Sequence, residues 1–352
     1  MNQDNFSITR SNAGLAADVR DMIGQTRSGV ARTVNAGMTF LYWRIGKRIQ
    51  MEILQHERAE YGRRILATLS QELSTEFGRG YSYSALNRMV KFAEVFSEGE
   101  IVATLSQQLS WSHFVELLPL DRPLQRDFYA EMCRVERWSV RTLRDKIDSM
   151  LFERTAISKK PKELAEAEIA ALRTEDRISP NMVFRDPYIL DFLNLKDSYL
   201  EKDLENAILR ELETFLLELG NGFAFLARQR RIQIDSDDFY LDLLFFHRNL
   251  KRLIAIDLKL GNFKAEYKGQ MELYLRWLAR HEQQPGEGLP LGIILCAGKK
   301  EEQIELLELG DSGIHVAEYL TALPSRELLQ RKLHDAIKIS QARLEAKKRE
   351  TE

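Results

Sequence analysis

Three charged residues on two neighbouring apolar stretches are the best candidates for chemistry in this sequence. Asp242 interrupts the stretch FYLDLLFF, and Asp257 and Lys259 interrupt the next one, LIAIDLKL. Burying an unpaired carboxylate costs several kcal/mol, so each aspartate needs a cation or strong hydrogen-bond donors. On a strand, Asp257 and Lys259 point to the same face about 6.6 Å apart, and a hairpin would place Asp242 across from Asp257.

Two facing carboxylates predict a divalent metal site. They repel each other, and a hard cation such as Mg²⁺ or Mn²⁺ relieves that repulsion. We expect the ion to be bound by Asp242, Asp257 and the backbone carbonyl of Leu258, which leaves Lys259 to orient or deprotonate an attacking water. This combination is the outline of a phosphodiesterase. The alternative is a structural ion-pair cluster, or a set of charges that face water at an edge strand.

The first half of the chain has the apolar spacing of helices. From Ala16 to about Arg154, apolar residues recur at intervals of three and four. The predicted helices are Val34–His56, Arg63–Phe77, Ser84–Phe96, Ser112–Leu118, Leu124–Glu136 and Ser139–Glu153. The charged, alanine-rich run from Ser158 to Arg177 is typical of an exposed linker or a short connecting helix. We therefore expect a helical domain over 1–158, a linker over 159–180 and a second domain over 181–352.

The second half alternates between helices and strands. An amphipathic helix over Leu200–Leu219 ends at Gly220, and three strands then form an antiparallel meander. The strands are Phe223–Ile234, Phe239–His247 and Arg252–Leu260, followed by a helix over Lys264–Arg280, a strand over Leu291–Cys296, a helix over Lys300–Leu309, a strand over Gly313–Tyr319 and a polar helix from Pro324 to about Lys347. The order αβββαβ predicts an α+β domain with a mixed sheet flanked by helices, joined to an all-helical N-terminal domain.

This second half resembles the PD-(D/E)XK nuclease superfamily of restriction-endonuclease-like enzymes. The resemblance rests on the αβββαβ order, on Asp242 and the acid-x-Lys triplet of Asp257 and Lys259, and on the run from Gln270 to Tyr274. That run resembles the Gln-xxx-Tyr motif of the branch that contains the RecB-type nucleases. The resemblance implies that both aspartates bind metal and that Lys259 is catalytic, with Gln270 and Tyr274 in support.

An acid on the first helix often completes the metal site in that superfamily. Glu205 would fill the role here, with Glu201 and Glu211 as weaker candidates, and the alternative for Glu205 is a solvated helix face. The whole chain resembles one group, the YhcG-like bacterial nucleases, through stretches such as YWRIGKRI, GFAFLARQ, FYLDLLFFH, LIAIDLKLG and EYKGQMELYL. That resemblance implies a nuclease domain that follows a helical domain of unknown role.

The first half offers two candidate surfaces for nucleic acid. The helices on either side of Gly78-Arg-Gly-Tyr81 form a unit of helix-turn-helix size, and the second helix carries side chains that can reach phosphates and bases. These are Tyr83, Asn87, Arg88 and Lys91. Farther along, intervals of three, four and three place Arg134, Arg137, Arg141 and Arg144 in a stripe along one helix that could follow a phosphate backbone. The alternatives are ordinary bundle packing for the first surface and a solvated, ion-paired face for the second.

Composition narrows the classes of function. The chain of 352 residues is 44% hydrophobic and 30% charged, with a net charge of −2, so it has no global attraction to polyanions. Its two cysteines and six histidines lack metal-ligand spacing, so a metal must be held by oxygen. No apolar run is long enough to cross a membrane and the N-terminus lacks the apolar stretch of a signal peptide, so we expect a cytoplasmic protein.

Together these features predict a two-domain nuclease that cleaves DNA, with RNA as the second candidate substrate. A catalytically silent nucleic-acid-binding or scaffold subunit is the alternative, although an intact set of two aspartates, a lysine and a glutamine argues against it. A homo-oligomer, or a partner subunit that is needed for cleavage, stays open. The same is true of endo- or exonucleolytic action and of strand preference.

Overall fold

The computed structural model describes residues 4–54, 59–155, 160, 162–193, 201–235, 237–309 and 312–320, together with the single positions 327, 328, 331, 334 and 338. The chain divides into two units, Met1–Asp145 and Lys146–Glu352. This division lies before the predicted linker. Within the described ranges, no helix is long and apolar enough to cross a membrane.

The first unit is helical, as predicted. Its helices are α1 (Asp4–Leu54), α2 (Ala59–Phe77), α3 (Tyr83–Val95), α4 (Gly99–Ser106), α5 (Trp111–Leu117) and α6 (Pro123–Glu136), and α7 (Val140–Asp148) begins in it. A 3₁₀ turn over Arg79–Tyr81 joins α2 to α3. The apolar face of α3 packs against α1 so closely that a Cβ at Gly46 would lie 1.8 Å from the carbonyl oxygen of Met89. Glycine at that position therefore permits the contact between the two helices.

The helices of this half differ from the prediction at three places. α1 begins at Asp4, well before the predicted start at Val34, and α4 lies where no helix is predicted. The predicted helix Ser139–Glu153 is two helices, α7 and α8 (Leu151–Arg154). They separate because Met150 adopts a left-handed backbone with a φ of 54° and buries its side chain. Apolar spacing alone does not reveal such a break, since residues on both sides keep the helical period.

The second unit is built around one six-stranded sheet. After α8 come α9 (Lys162–Glu175), α10 (Pro180–Val183), β1 (Tyr188–Ile189), α11 (Glu201–Arg210), α12 (Leu212–Leu219), β2 (Phe223–Ile234), β3 (Asp237–His247), β4 (Arg252–Asn262), α13 (Glu266–His281), β5 (Leu291–Gly298), α14 (Glu301–Leu306) and β6 (Ile314–Leu320). The strand order is β1-β6-β5-β4-β3-β2, antiparallel from β2 to β4 and parallel from β4 to β1. The predicted α+β class and the αβββαβ order are confirmed.

Both faces of the sheet are covered by helices. On one face, Leu204 and Phe215 of the α11–α12 pair pack against inward-facing residues of β3 and β4 such as Phe245. On the other face, Met271 and Leu278 of α13 pack against the alternate residues of the same strands. Because successive strand residues point to opposite faces, the two cores together fix the register of every strand between them.

Several predicted elements of this unit need correction. The helix over Leu200–Leu219 is interrupted at Glu211, whose backbone leaves the helical region (φ −105°, ψ 31°) between α11 and α12. The stretch predicted as an exposed linker or a short connecting helix contains the helix α9; the exposed-linker alternative is wrong, because α9 buries Ala165, Ile169 and Leu172. Strand β1 is too short for its pattern to be read from the sequence. The polar helix predicted from Pro324 lies outside the described residues apart from five single positions.

A buried ionic cluster attaches the segment before β1 to α12. Arg154 and Arg185 both pair with the Glu218 carboxylate, and the backbone N–H of Ile189 donates a further hydrogen bond to it over 2.8 Å. Burial alone would raise the pKa of Glu218, but the two guanidinium groups outweigh that effect and lower it. The carboxylate is therefore ionised and satisfied in the folded chain.

The substitution Glu218→Ala should destabilise the second unit by about 3–5 kcal/mol, because it leaves two buried guanidinium groups without their carboxylate. Chemical denaturation monitored by circular dichroism measures the loss. Glu213→Ala, on an exposed position of the same helix, is the matched control and should change the free energy of unfolding by less than about 0.5 kcal/mol. Equal effects of the two substitutions would contradict a stabilising role for the cluster.

Candidate active site

Strands β3 and β4 separate where Asp242 and Asp257 face each other. The backbone pairing of the two strands extends as far as Leu243 with Ile256, and Asp242 and Asp257 are the next residues on β3 and β4. The Asp242 side chain enters the split, where its Oδ2 accepts a hydrogen bond from the Leu258 N–H over 2.8 Å. A side-chain carboxylate thus satisfies a strand N–H, and this bond fixes the position of Asp242 beside β4.

Asp257 and Lys259 lie on the same face of β4. The Nζ of Lys259 is 3.0 Å from Oδ2 of Asp257, which is only 2% exposed. Burial raises the pKa of the Asp257 carboxyl to about 7; the nearby Asp242 acts in the same direction and Lys259 in the opposite one. Burial and the neighbouring carboxylate therefore disfavour the ionised form of Asp257, and a further cation would stabilise that form.

Helix α13 forms the wall beside these strands. The ammonium of Lys259 lies 5.1 Å from the ring centroid of Tyr267, within the range of a cation–π interaction. Gln270 donates a hydrogen bond from Nε2 to the Tyr274 hydroxyl over 2.6 Å, and that hydroxyl donates to the Tyr240 carbonyl over 3.2 Å. Burial raises the pKa of Tyr274. Gln270 and Tyr274 thus form a chain that connects α13 to β3.

Gln229 on β2 bridges Asp242 of β3 and Glu205 of α11. Its Nε2 donates to Oε2 of Glu205 over 2.9 Å and to Oδ1 of Asp242 over 3.0 Å. A bulge between Phe225 and Ala227 shifts the β2–β3 register by one residue, and this shift puts Gln229 opposite Asp242. The backbone of Gln229 is left-handed, with a φ of 44°, a conformation that is uncommon outside glycine. Glu205 therefore reaches the site through this amide.

Glu205, Gln229 and Asp242 open onto a cleft of about 510 Å³, whereas Asp257, Lys259, Gln270 and Tyr274 are not among its lining residues. Its lining comprises Lys202, Glu205, Asn206, Arg228, Gln229, Asp242 and Leu258. Lys202 and Arg228 are exposed cations, and such side chains suit a phosphate group. Glu211 does not line the cleft, and the Glu201 side chain lies outside the described ones.

Sequence reasoning missed Gln229, Lys202 and Arg228. The stretch GFAFLARQ contains Arg228 and Gln229 but not Lys202, and no periodicity within it predicts that either residue reaches the site. The position of Gln229 depends on a one-residue bulge, and the position of Lys202 depends on how α11 lies against the sheet. A bulge leaves no reliable signal in a single sequence, so only the resemblance to a family pointed to this stretch.

The donor atoms fit a hard divalent cation. In the part of the chain that is described, no three His, Cys, Asp or Glu side chains come close enough to hold a metal ion, so a site here is limited to two carboxylates. Oδ2 of Asp257 is buried and accepts no well-directed hydrogen bond from described residues, although Lys259 is near it as an ion pair. Mg²⁺ is commonly held by one or two carboxylates, with water in its other positions. Asp242 and Asp257 provide that minimal set.

The helix-turn-helix candidate keeps its predicted residues at the surface. α3 buries Leu86, Met89, Phe92 and Ala93. The opposite face carries Tyr83, Asn87, Arg88 and Lys91, all exposed. This face is available to a nucleic acid or to a protein, and it also carries the acidic Glu94.

The predicted arginine stripe along one helix is wrong. α6 ends at Glu136 because the next residue, Arg137, has a left-handed backbone with a φ of 53°, so the stripe is divided between α6 and α7. Arg134 is 9% exposed and pairs with Glu131 over 2.7 Å. Arg144 on α7 pairs with Glu116 over 2.5 Å. The ion-paired alternative therefore describes Arg134 and Arg144 better than a phosphate-binding row does.

Comparisons with known proteins cover nearly the whole chain. Two family models match it: the DUF1016 N-terminal domain over residues 18–154 and the YhcG PDDEXK nuclease domain over residues 181–334. A protein of Escherichia coli (strain K12) named "Putative nuclease YhcG" is 35% identical over 355 residues, which cover 92% of this chain and 93% of that protein.

Two solved structures share limited similarity with the chain. A repair endonuclease from Pyrococcus abyssi is 15% identical over 35% of this chain and 48% of its own, with a TM-score of 0.25. A complex of EndoMS with double-stranded DNA is 18% identical over 38% of this chain and 50% of its own, with a TM-score of 0.26. The chain thus matches about half the length of each, and TM-scores of this size do not establish a shared overall fold.

The second unit is a restriction-endonuclease-like PD-(D/E)XK nuclease domain. This follows from the αβββαβ core, from the two aspartates and the lysine where β3 and β4 separate, and from the matching family model. The chain as a whole belongs to the YhcG nuclease family, and residues 18–154 form the DUF1016 N-terminal domain of that family.

Proposed function

We propose that this chain hydrolyses phosphodiester bonds in DNA with Mg²⁺ or Mn²⁺ as its cofactor. The observation that carries the proposal is the convergence of Asp242, Asp257 and Lys259 at the split between β3 and β4, beside an open cleft. Membership of a nuclease family supports it. DNA is favoured over RNA because enzymes of the resembled superfamily mostly cut DNA. A cytoplasmic location, in keeping with two buried free cysteines, is part of the same proposal.

Three groups would hold the cation directly in this proposal, and a fourth would support them. Asp242 and Asp257 offer carboxylate oxygens, the Leu258 carbonyl can add a third ligand, and Glu205 acts from farther away through Gln229. The cation, when bound, polarises a phosphodiester oxygen and stabilises the negative charge that develops on it.

Lys259 as an ammonium orients the attacking water by donating a hydrogen bond to it; to accept the proton of that water, Lys259 would first have to lose its own proton to solvent and become the neutral amine. The Asp257 carboxylate and the Tyr267 ring hold its ammonium, and only 13% of its side chain is exposed. Charges act more strongly in such a partly dry setting than in bulk water, so a fixed ammonium can stabilise the developing negative charge. Gln270 and Tyr274 act as positioning residues, because their hydrogen-bonded chain fixes α13 against β3.

Gln229 has two roles in this proposal. Its amide nitrogen joins Glu205 to Asp242 and so keeps two acids in place while no cation is bound. A side-chain amide carries a donor on one side and an acceptor on the other, so the same residue can turn its oxygen toward a cation. Lys202 and Arg228 at the rim of the cleft then place the phosphate backbone over the site.

Cleavage assays with the purified full chain test this proposal. Linear, branched and single-stranded DNA and RNA are incubated with Mg²⁺, Mn²⁺ or EDTA, and we expect cleavage of DNA that depends on the metal. Lys259→Ala should lower the cleavage rate by about 10²–10⁴-fold, the usual contribution of a proton-transfer group. Its circular dichroism spectrum and its retention on DNA should match those of the unmodified chain.

Lys264→Ala is the matched control for this experiment. Its ammonium also lies near the Tyr267 ring, at 5.9 Å from the centroid, but the side chain is 65% exposed and we expect normal cleavage. Unchanged cleavage by Lys259→Ala would remove the assigned mechanism. No cleavage by the unmodified chain under any of these conditions would favour the catalytically silent subunit, or one that needs a partner.

The exposed face of α3 is the proposed site of DNA attachment. Arg88→Glu should weaken DNA binding and reduce the slope of log K against log salt concentration by about 1, because one phosphate contact is lost. Fluorescence anisotropy at several salt concentrations measures both effects. Arg122→Glu makes the same charge change at the start of α6 and is the control. Equal slopes for both variants would favour a protein partner, or bundle packing alone, over DNA on this face.

A further inference from the structure

The hairpin of β2 and β3 extends beyond the rest of the sheet. The pairing of β3 with β4 spans 243–247, whereas the pairing of β3 with β2 continues as far as Ile234 with Asp237. β2 is the last strand in the sheet order, and among the described strands it pairs with β3 alone. Residues 230–234 and 237–241 thus form a two-stranded ribbon, which begins where β3 and β4 separate.

One face of the ribbon packs on α13 and the other face is exposed. Ile232 and Leu241 are buried in the core that α13 covers, and Phe239 packs against the same core. Because side chains alternate along a strand, Arg231 and Tyr240 point to the opposite face of the sheet, where α11 and the cleft lie. These two residues lie opposite each other across the hairpin, and both are exposed.

Tyr240 presents an aromatic ring beside the candidate catalytic groups. It is 50% exposed, and it lies two residues before Asp242 on β3, a distance of about 6.6 Å along a strand. The hydroxyl of Tyr274 donates a hydrogen bond to the Tyr240 carbonyl over 3.2 Å, which fixes the backbone at this point. A strand whose phosphate enters the cleft at Asp242 therefore brings a flanking base within reach of the ring.

Arg231 places a cation next to this ring. Its Nε and Nη2 both contact Oδ1 of Asp238 over 2.9 Å, while 57% of its side chain is exposed. Among the described residues, this pairing leaves Nη1 of the guanidinium for a phosphate. Lys202 and Arg228 line the cleft itself. The exposed cations thus follow a path from the cleft onto the first part of the ribbon.

The composition of the exposed face favours a nucleic acid over a protein partner. Within the described ribbon, this face carries Arg231, Gln233, Asp238 and Tyr240, so it offers one aromatic ring among polar side chains. A protein interface normally buries an apolar centre made of several side chains, whereas one ring is sufficient to stack on one base. The exposed acids at the ribbon tip repel phosphates, so we expect contact with only the nucleotide next to the cleft.

Stacking on Tyr240 requires a base with one open face. Inside a duplex, neighbouring bases cover both faces of each base, so a side chain reaches a face only after the base leaves the stack. The bases of a single strand, a flap or a frayed end are open in this way.

We propose that Tyr240 stacks on an unpaired base beside the phosphodiester bond to be cleaved, and that Arg231 binds the adjoining phosphate. The substrate class is therefore DNA with unpaired bases at the cut site. This inference rests on the proposed function, because it requires that a DNA strand enters the cleft.

Fluorescence anisotropy with short DNA oligonucleotides in EDTA tests the stacking without relying on cleavage. Tyr240→Ala should weaken the binding of single-stranded DNA by about 5- to 150-fold, the equivalent of about 1–3 kcal/mol for one stacked base. Tyr240→Phe keeps the ring and should bind like the unmodified chain. Leu226→Ala is the matched control, because it removes a side chain of the same hairpin that is 51% exposed, and it should also bind normally.

A strand of the same length that lacks its bases separates stacking from charge. The unmodified chain and Tyr240→Ala should bind this abasic strand equally, because both contact only its phosphates. Arg231→Ala should weaken the binding of both strands, because it removes a phosphate contact. Equal losses on the two strands for Tyr240→Ala, or no loss on either, would overturn the inference.

Cleavage rates distinguish a failure of this inference from a failure of the proposed function. Tyr240→Ala should lower kcat/KM on single-stranded DNA by the same factor as the affinity and leave the slower cleavage of blunt duplex DNA unchanged. Metal-dependent cleavage that Tyr240→Ala does not alter on either substrate would overturn the inference while the nuclease activity stands. Binding that depends on the Tyr240 ring, in a chain that cleaves nothing, would support the stacking and contradict the proposed hydrolysis alone.

Discussion

Two carboxylates placed side by side at a split in a sheet are the constraint that organises the second unit. Asp242 occupies the opening between β3 and β4 and accepts a hydrogen bond from the Leu258 N–H, so the strands separate around it. Asp257 is almost fully buried beside it, with Lys259 as its close cation. Burial and charge repulsion oppose this arrangement, and one lysine does not remove the unfavourable interaction. A site with these properties has a strong physical reason to bind a divalent ion.

The remaining elements hold this arrangement in place from both faces. α11 supplies Glu205, and the bulge in β2 turns Gln229 so that one amide contacts both Glu205 and Asp242. On the other face, α13 ties itself to β3 through Gln270 and Tyr274. These hydrogen bonds from two helices and three strands fix the side chains of the site in advance, and fixed charges of this kind are what electrostatic catalysis requires.

How much could be predicted from the sequence depends on how local each signal is. The meander, Asp242 and the Asp257–Lys259 pair could be predicted, because period-two strands and charges inside apolar stretches are local features. Gln229 could not, since its position depends on a register shift of one residue three positions earlier. The arginine stripe failed for a related reason. A left-handed residue at Arg137 ends the helix, and its neighbours keep a helical spacing that hides the break.

Metal binding tests the central claim most directly. Calorimetric titration of Mn²⁺ into the unmodified chain should show one binding event, which Asp242→Asn and Asp257→Asn each weaken by at least about tenfold, the change expected from the loss of one charged ligand worth more than 1.4 kcal/mol. Glu266→Gln, at an exposed carboxylate at the start of α13, should bind like the unmodified chain. The same affinity in all four proteins would contradict a metal site between the two aspartates and would leave Asp242, Asp257 and Lys259 as a structural ion-pair cluster.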